Sequence, residues 1–359
     1  MASDFDTLKP EEVDDLVDIG HLSEWLDGLG LEKGSPVRVR RISGGMSNES
    51  IGIERGRERY VLRRPAKLAL EKADRGMRRE YRLLCALDAT DVPHPRPLAL
   101  CEDPGVTDGV GYLMEHVDGF APALGMPEPF ASDAGLRCDI ALESMEALGR
   151  LARVDWQAIG LEDFGRPDGF HERQVDRWIG QLAGYEDDST RDLSGAREVG
   201  DWLEANRPNA SDWTPGIMHG DYHLANIFIA PHPPARVAAI LDWENATIGD
   251  PALDLATFVR LAESRGRSDW ADRDAMVARW EAASGRTAPD LRYGLVLSAF
   301  KLSIMVEGIY RRSKADRGMR REYRLLCALD ATDVPHPRPL ALCEDPGVTD
   351  GVGYLMEHV

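Results

Sequence analysis

Residues Lys72–Val117 and Lys314–Val359 are the same sequence, letter for letter. This identity limits what the chain can fold into more than any other feature. Repeat architectures stack short units that recur with substitutions. Here one long segment is copied once, without change. Two copies in different surroundings would meet different packing demands. Identity therefore marks a very recent duplication, an engineered join or an error of sequence assembly. A fold with one slot for the segment cannot bury both copies. The stretch Arg320, Glu322, Tyr323, Leu325, Leu326, Ala328 and Leu329 carries an apolar helical face that calls for a partner. The first copy is expected to occupy the slot, leaving 314–359 as a poorly docked tail. The alternative is exchange between chains, a swapped dimer through 314–359, so the sequence leaves monomer and dimer both open.

The 359 residues suffice for two lobes sharing a cleft, and 43% hydrophobic with 29% charged content is ordinary for a globular chain. A formal net charge of −19 argues against a nucleic-acid partner, because phosphate binding wants basic surface. No apolar run reaches the length of a membrane span. The start, Met1-Ala2-Ser3-Asp4-Phe5-Asp6, is acidic and lacks a signal-peptide pattern. Cys85, Cys101, Cys138, Cys327 and Cys343 form no Cys-x-x-Cys pair, so reduced, mostly buried thiols are expected. Together these readings predict a cytoplasmic protein with no membrane partner.

Apolar spacing over 11–29 (Val13, Leu16, Ile19, Leu22, Trp25, Leu26) predicts one or two short helices. Strand-like alternation follows at 37–42, 51–55 and 60–63, with a turn at 43–48. A helix is expected near 77–89, then strands near 96–101 and 112–116. Beyond Asp118-Gly119 the pattern changes to helices near 132–154, 172–184, 194–206, 251–263, 268–283 and 290–310. A β-rich part followed by an α-rich part predicts an α+β fold. The expected divisions are a helical segment 1–35, a small lobe 36–117, a large lobe 118–313 and the duplicate 314–359.

Chemistry concentrates in His219-Gly220-Asp221-Tyr222-His223-Leu224-Ala225-Asn226 and in the apolar strand Ala238–Leu241 that ends at Asp242. A carboxylate, an amide five residues later and a carboxylate closing a strand form the set that nucleotide-dependent phosphoryl transfer uses. One Asp orients the attacking hydroxyl and takes its proton, while the Asn and the second Asp hold Mg²⁺ on the phosphates. The plainer reading is a polar loop with a cap.

These residues resemble the aminoglycoside phosphotransferase-like enzymes, which have a two-lobed protein-kinase-like fold. The resemblance spans roughly 22–310 and is strongest over 219–255. The segments RISGGMSNES, YVLRRP, MRREYRLLCAL, GYLMEHVDG and RQVDRW are similar to the branch found fused to acyl-CoA dehydrogenases. The resemblance implies ATP (or GTP), Mg²⁺ and a small-molecule hydroxyl substrate. It implies Asp221 as catalytic base, Asn226 and Asp242 as metal ligands, and Gly44, Gly45, Ser47 and Asn48 over the nucleotide phosphates. It puts Arg63 where a phosphate-pairing Lys often sits, with Glu80 as its helix partner. Met114, Glu115 and His116 would form the hinge against the adenine. His219 would brace the catalytic loop, and Asp250 and Asp254 would stabilise it. Arg in place of Lys keeps a second reading open, a nucleotide-binding regulatory module without useful catalysis.

Plainer readings stand beside these. Two glycines often mean only a hairpin turn, and Arg63 with Glu80 could be a surface ion pair of little value. His223 and His171 are expected to be structural or solvent-facing, and Trp178 and Trp243 to be packing. Arg173, Gln174 and Arg177 are either solvated or near an anionic substrate.

Overall fold

Alternation in the first third of the chain does produce strands, and their order explains where the apolar faces go. In the computed structural model the described residues are 17–44, 48–65, 70–107, 109–184, 194–264, 270–308, 339–343 and 353–356. Helix α1, Ile19–Gly28, is capped by the Asp18 carboxylate, which accepts from the His21 N–H. Strands β1 (Val37–Gly44), β2 (Asn48–Arg55) and β3 (Glu58–Pro65) form an antiparallel meander. Helix α2, Leu70–Leu87, crosses to β4 (Pro97–Cys101) and β5 (Gly111–Glu115), giving the sheet order β1-β2-β3-β5-β4. Leu22 and Leu26 of α1 join Val39, Ile51, Ile53, Leu62 and Leu113 in one apolar cluster. Arg55, wholly buried, ties α1 to the sheet through the Ser23 and Glu32 carbonyls and the Asp27 carboxylate.

Helix α2 begins earlier than the apolar spacing predicts. Its first turns are polar and contain Gly76, so only from Met77 onward does a periodic face exist to be read. The early turns gain a tertiary partner instead: the Asp74 carboxylate accepts from the Val110 N–H at 2.8 Å. Met77, Leu83, Leu84 and Leu87 do not join the α1 cluster. They belong to the larger core with Tyr112, Ile140, Leu148, Tyr222, Ile240, Phe258 and Trp280.

That larger core is built on α3, Ala134–Arg153, whose N-terminus is capped by Asp133. Helices α4 (Gln174–Ala183) and α5 (Ser194–Ala205) follow. Four short strands come next: β6 (Gly216–Met218), β7 (Ile227–Ile229), β8 (Val237–Ile240) and β9 (Thr247–Gly249). They pair as two antiparallel ribbons, β6 with β9 and β7 with β8. Helices α6 (Ala252–Ser264) and α7 (Arg273–Ser284) complete the region, and 292–308 is helical. The predicted continuation to 310 lies outside the described residues. Helix α7 packs so closely on α3 that a Cβ at Gly149 would stand 2.5 Å from Ala283 Cβ; only glycine permits that approach.

The chain divides into two compact units. The described residues of Met1–Phe170 and Pro208–Leu295 form one, so the five-stranded sheet, both ribbons, α1–α3, α6 and α7 lie together. The other takes His171–Arg207 and Val296–Val359, with α4 and α5. In the duplicated segment the described residues are β10 (Pro339–Cys343) and β11 (Gly353–Met356). They pair Pro339↔Met356, Ala341↔Leu355, Leu342↔Tyr354 and Cys343↔Gly353. The first copy pairs its equivalents the same way, Pro97↔Met114 to Cys101↔Gly111, with the same register shift. Hairpin register thus travels with the local sequence. Among the described residues no helix is long and apolar enough to cross a membrane.

Candidate active site

The loop after β6 is held from three directions before any ligand is considered. Asp254, buried in the first turn of α6, accepts from the His219 N–H at 2.7 Å and the Gly220 N–H at 3.1 Å. Tyr222, fully buried, donates to the Ser144 carbonyl of α3 at 2.6 Å. His219 Nε2 donates to the Leu241 carbonyl at 2.8 Å, and its Nδ1 accepts from the Asp221 N–H at 3.3 Å. That pair of bonds selects the neutral imidazole. Burial pushes the His219 pKa down to about 4. The ring packs against Trp243, with centroids 4.8 Å apart.

The neutral state has a measurable consequence. Its folded pKa of about 4 lies below the ordinary imidazole value, so the unfolded chain takes up a proton first as pH falls. The stability is fully present above about pH 6.5 and is lost on acidification towards pH 4, by about 3 kcal/mol. His219→Gln keeps a donor for Leu241 and removes the titration. Denaturant melts at pH 7 and pH 4 should show wild type losing about 3 kcal/mol more than the variant; parallel losses would refute the assignment.

Gly220 has φ 84°, and a Cβ there would sit 2.5 Å from the Asn245 carbonyl oxygen. Gly220→Ala is expected to lower stability by about 1–3 kcal/mol and shift the loop, checked by the denaturation midpoint.

The β7–β8 ribbon explains why the amide and the second carboxylate meet. Ile227 pairs with Ile240, and the Leu241 N–H donates to the Asn226 carbonyl at 2.8 Å. Asn226 and Asp242 therefore flank one end of the ladder. Asn226 Nδ2 also donates to the Asp221 backbone carbonyl at 3.1 Å and to its carboxylate at 3.2 Å. Asp242 has φ 65° and ψ 68°, a left-handed conformation rare outside glycine and frequent where function demands it.

Arg63 on β3 joins this group. Its Nε donates to Glu80 at 3.0 Å and its Nη2 to Asp242 at 2.5 Å. The surface-pair reading of Arg63 and Glu80 is overturned, because Glu80 is 2% exposed and Arg63 11%. Burial works against the Arg63 charge, but Glu80, Tyr112 and Asp242 outweigh it and hold the pKa above its ordinary value. Burial raises the Glu80 pKa, with Arg63 pulling against it. Tyr112, cross-strand from Arg63, donates its hydroxyl to Glu80 at 3.0 Å. The sequence reading omitted Tyr112; only the β3–β5 register puts it opposite Arg63.

His223 is another correction. It faces Asp221, with Nε2 3.4 Å from the carboxylate, while its Nδ1 accepts from the Ala225 N–H. Hydrogen bonding from His223 lowers the Asp221 pKa, with burial opposing. Its D-x-H spacing in the loop was the available signal. Trp178 and Trp243 are buried as packing residues. His171, Arg173, Gln174 and Arg177 lie in the second unit, on a short 3-10 turn and α4.

A cavity of about 790 Å³ opens beside these groups. Arg63, Asn226, Asp242 and Asn48 line it, as do Met114, Glu115 and His116. Asn48 starts β2 and donates to Glu244 at 2.7 Å. Glu244, two residues after Asp242, also lines the cavity and was missed. Gly44 is not in a turn but ends β1, paired with Glu49; Gly45 and Ser47 lie outside the described residues. In the stretch expected to be the hinge, the Glu115 N–H donates to the Arg96 carbonyl and the His116 N–H to the Arg59 carbonyl. Both donors are committed within the protein, so a base would have to find carbonyls there or the next residue, Val117, which also lines the cavity.

The fold is that of the protein-kinase-like phosphotransferases. The sequence profile of the phosphotransferase enzyme family matches residues 38–292, and the chain belongs to that family. Acyl-CoA dehydrogenase family member 11 of Homo sapiens is 29% identical over 313 residues, 81% of this chain and 38% of the relative. The chain thus spans about two-fifths of the length of that relative. A crystal structure from Ralstonia eutropha JMP134, provisionally described as an aminoglycoside phosphotransferase, is 29% identical with a TM-score of 0.70. The match covers 82% of this chain and 89% of that one. A thermostable mutant of aminoglycoside phosphotransferase APH(4)-Ia, in ternary complex with ADP and hygromycin B, shares the fold. It is 15% identical with a TM-score of 0.54, covering 80% and 92% of the two chains.

Proposed function

We propose that the chain is an ATP- (or GTP-) dependent small-molecule kinase that transfers the γ-phosphoryl group to a substrate hydroxyl with Mg²⁺. The observation that carries this reading is the convergence of two pairs, Asn226 on Asp221 and Arg63 on Asp242, joined where the Leu241 N–H bonds the Asn226 carbonyl. The nucleotide bound in the related APH(4)-Ia complex supports it. The kinship with acyl-CoA dehydrogenase family members favours a metabolic, hydroxyacyl-type hydroxyl over an antibiotic.

The donor set suits a hard dication, which takes oxygen ligands and is commonly held by one or two carboxylates plus phosphates. Asn226 turns its amide nitrogen to Asp221, which leaves its oxygen as the acceptor. Asp242 has a second carboxylate oxygen beyond the one on Arg63. Asn226 and Asp242 would hold Mg²⁺, which when bound offsets charge on the phosphates. Among the described residues no cluster of three His, Cys, Asp or Glu could hold a metal without such help.

In this mechanism Asp221 orients the acceptor hydroxyl and takes its proton. The hydrogen bond from His223 holds the carboxylate ionised. Asn226 fixes the Asp221 side chain from the other side. Arg63, kept in place by Glu80, presents a guanidinium to the phosphates. The cavity lining of Val61, Met114, Phe228 and Leu241 offers an apolar bed for a base.

One observation favours the regulatory reading. Arg63 already engages Asp242, so a ligand must compete for that carboxylate. A γ-labelled ATP screen against hydroxyl compounds, with the Asp221→Asn protein as blank, decides between them. Transfer above the blank that requires Mg²⁺ supports the kinase. ATP binding with no transfer to any acceptor, and no Mg²⁺-dependent hydrolysis, supports the regulatory module.

A further inference from the structure

We infer that Arg79 is a positioning residue for the transfer step, bolting helix α2 to the turn that carries Asp242. Its effect on rate rests on the phosphoryl-transfer reading; its effect on the turn rests on geometry alone.

Arg79 and Glu80 are neighbours on α2 and point their groups to two ends of one assembly. Glu80 takes Arg63, and Arg63 reaches on to Asp242. From Asp242 the chain runs through the Trp243–Asn245 turn to Ala246. The Ala246 carbonyl accepts from Arg79 Nη2 at 2.7 Å. The contacts close into a ring: Glu80, Arg63, Asp242, the turn, Ala246, Arg79 and back along one peptide bond. Removing one contact opens the ring and leaves the turn to its remaining anchors, such as the Trp243 Nε1 bond to the Ile240 carbonyl. The Arg79–Ala246 contact is the side of this ring that ties the far end of the Asp242 turn to α2.

A third anchor stiffens the ring. The Phe164 carbonyl accepts from Arg79 Nη1 at 2.9 Å and Nη2 at 2.8 Å. The Phe164 ring centroid lies 3.6 Å from the guanidinium carbon. Phe164 is itself buried, and a Cβ at the adjacent Gly165 would come within 2.5 Å of the Ile248 nitrogen of β9. Only a planar fork can stack on a ring and reach two carbonyls at once; an ammonium is a point donor. The apolar face of α2 agrees, since it packs into the core shared with Tyr222 and Trp243 and not into the α1 cluster. Arg82, on the next turn of α2, provides an internal comparison. It is 46% exposed and bonds Asp163 and the Gly160 carbonyl at the surface of the same connection.

The test uses the full chain carrying 5-fluorotryptophan, with Trp243→Phe assigning the Trp243 resonance. Arg79→Met should move or broaden that resonance and leave that of Trp178 in place, whereas Arg82→Ala should leave both. In nucleotide turnover, Arg79→Met should lower kcat by about 10- to 100-fold, with the nucleotide KM within about threefold. Arg82→Ala should stay within about twofold of wild type in both constants. An unmoved Trp243 resonance in Arg79→Met would overturn the proposal. So would equal losses of kcat in the two variants, which would mean general anchoring of the helix. Should wild type transfer no phosphoryl group, the phosphotransfer reading fails on its own, and the fluorine spectra still decide whether Arg79 holds the turn.

Discussion

Replacing Asp221 with Asn is expected to lower turnover by about 10³-fold, within the 10²–10⁴ that a positioned general base contributes, while nucleotide affinity stays within a few-fold. The substitution keeps size and one acceptor oxygen. Asn226 Nδ2 can still donate to the backbone carbonyl of residue 221, so the loop should hold its shape. What is lost is the carboxylate that His223 keeps ionised. Single-turnover transfer with labelled nucleotide, alongside calorimetric binding of ADP with Mg²⁺, separates the two effects. Near-normal transfer would remove Asp221 from the base role. A parallel collapse of nucleotide affinity would point to a misfolded loop.

Arg63→Met should act on stability and activity together, for one electrostatic reason. Glu80 is 2% exposed, and its described cationic partner is Arg63. Removing one member of a buried ion pair strands the other, at a cost of about 3–5 kcal/mol. Asp242 loses its contact with β3 at the same time, so transfer should fall by at least about 10²-fold. The double variant Arg63→Met with Glu80→Gln removes both charges. It is expected to recover most of the stability and none of the activity. Chemical denaturation and turnover measured on wild type, Arg63→Met, Glu80→Gln and the double variant form a double-mutant cycle that isolates the pair. A single variant as stable as wild type would show that Glu80 is protonated there and the pair energetically idle.

Both predictions rest on side chains whose places in the chain were legible and whose neighbours were not. The spacing in 219–226 and the strand ending at Asp242 announced the chemistry. Antiparallel pairing of β7 with β8 then made neighbours of Asn226 and Asp242. By contrast, Tyr112 carries no local mark of importance. It reaches Glu80 because β5 lies antiparallel to β3 in one register. His223 carried only its D-x-H spacing from Asp221, which does not by itself say which way the imidazole faces. Glu244 and Arg79 were passed over because Asn48 and Ala246, their partners, are far away in sequence. The early turns of α2 were missed for a related reason: they lack an apolar period, and Asp74 gains its bond from Val110.

The sequence alone determined the strands of the first sheet, β8 and the main helices, the hairpin register repeated in β10–β11, and the acid, amide and acid spaced along 219–242. These follow from periodicity, backbone preference and local hydrogen bonding, which act over a few residues. Strands β6, β7 and β9 are too short to show a period. The tertiary structure alone decided that Arg63 is buried on Glu80 and shared with Asp242, that His219 is neutral, and that Arg79 ties α2 to the Asp242 turn. Each depends on burial and on partners distant in the chain, and the free energy of a charge is set by the whole of its surroundings.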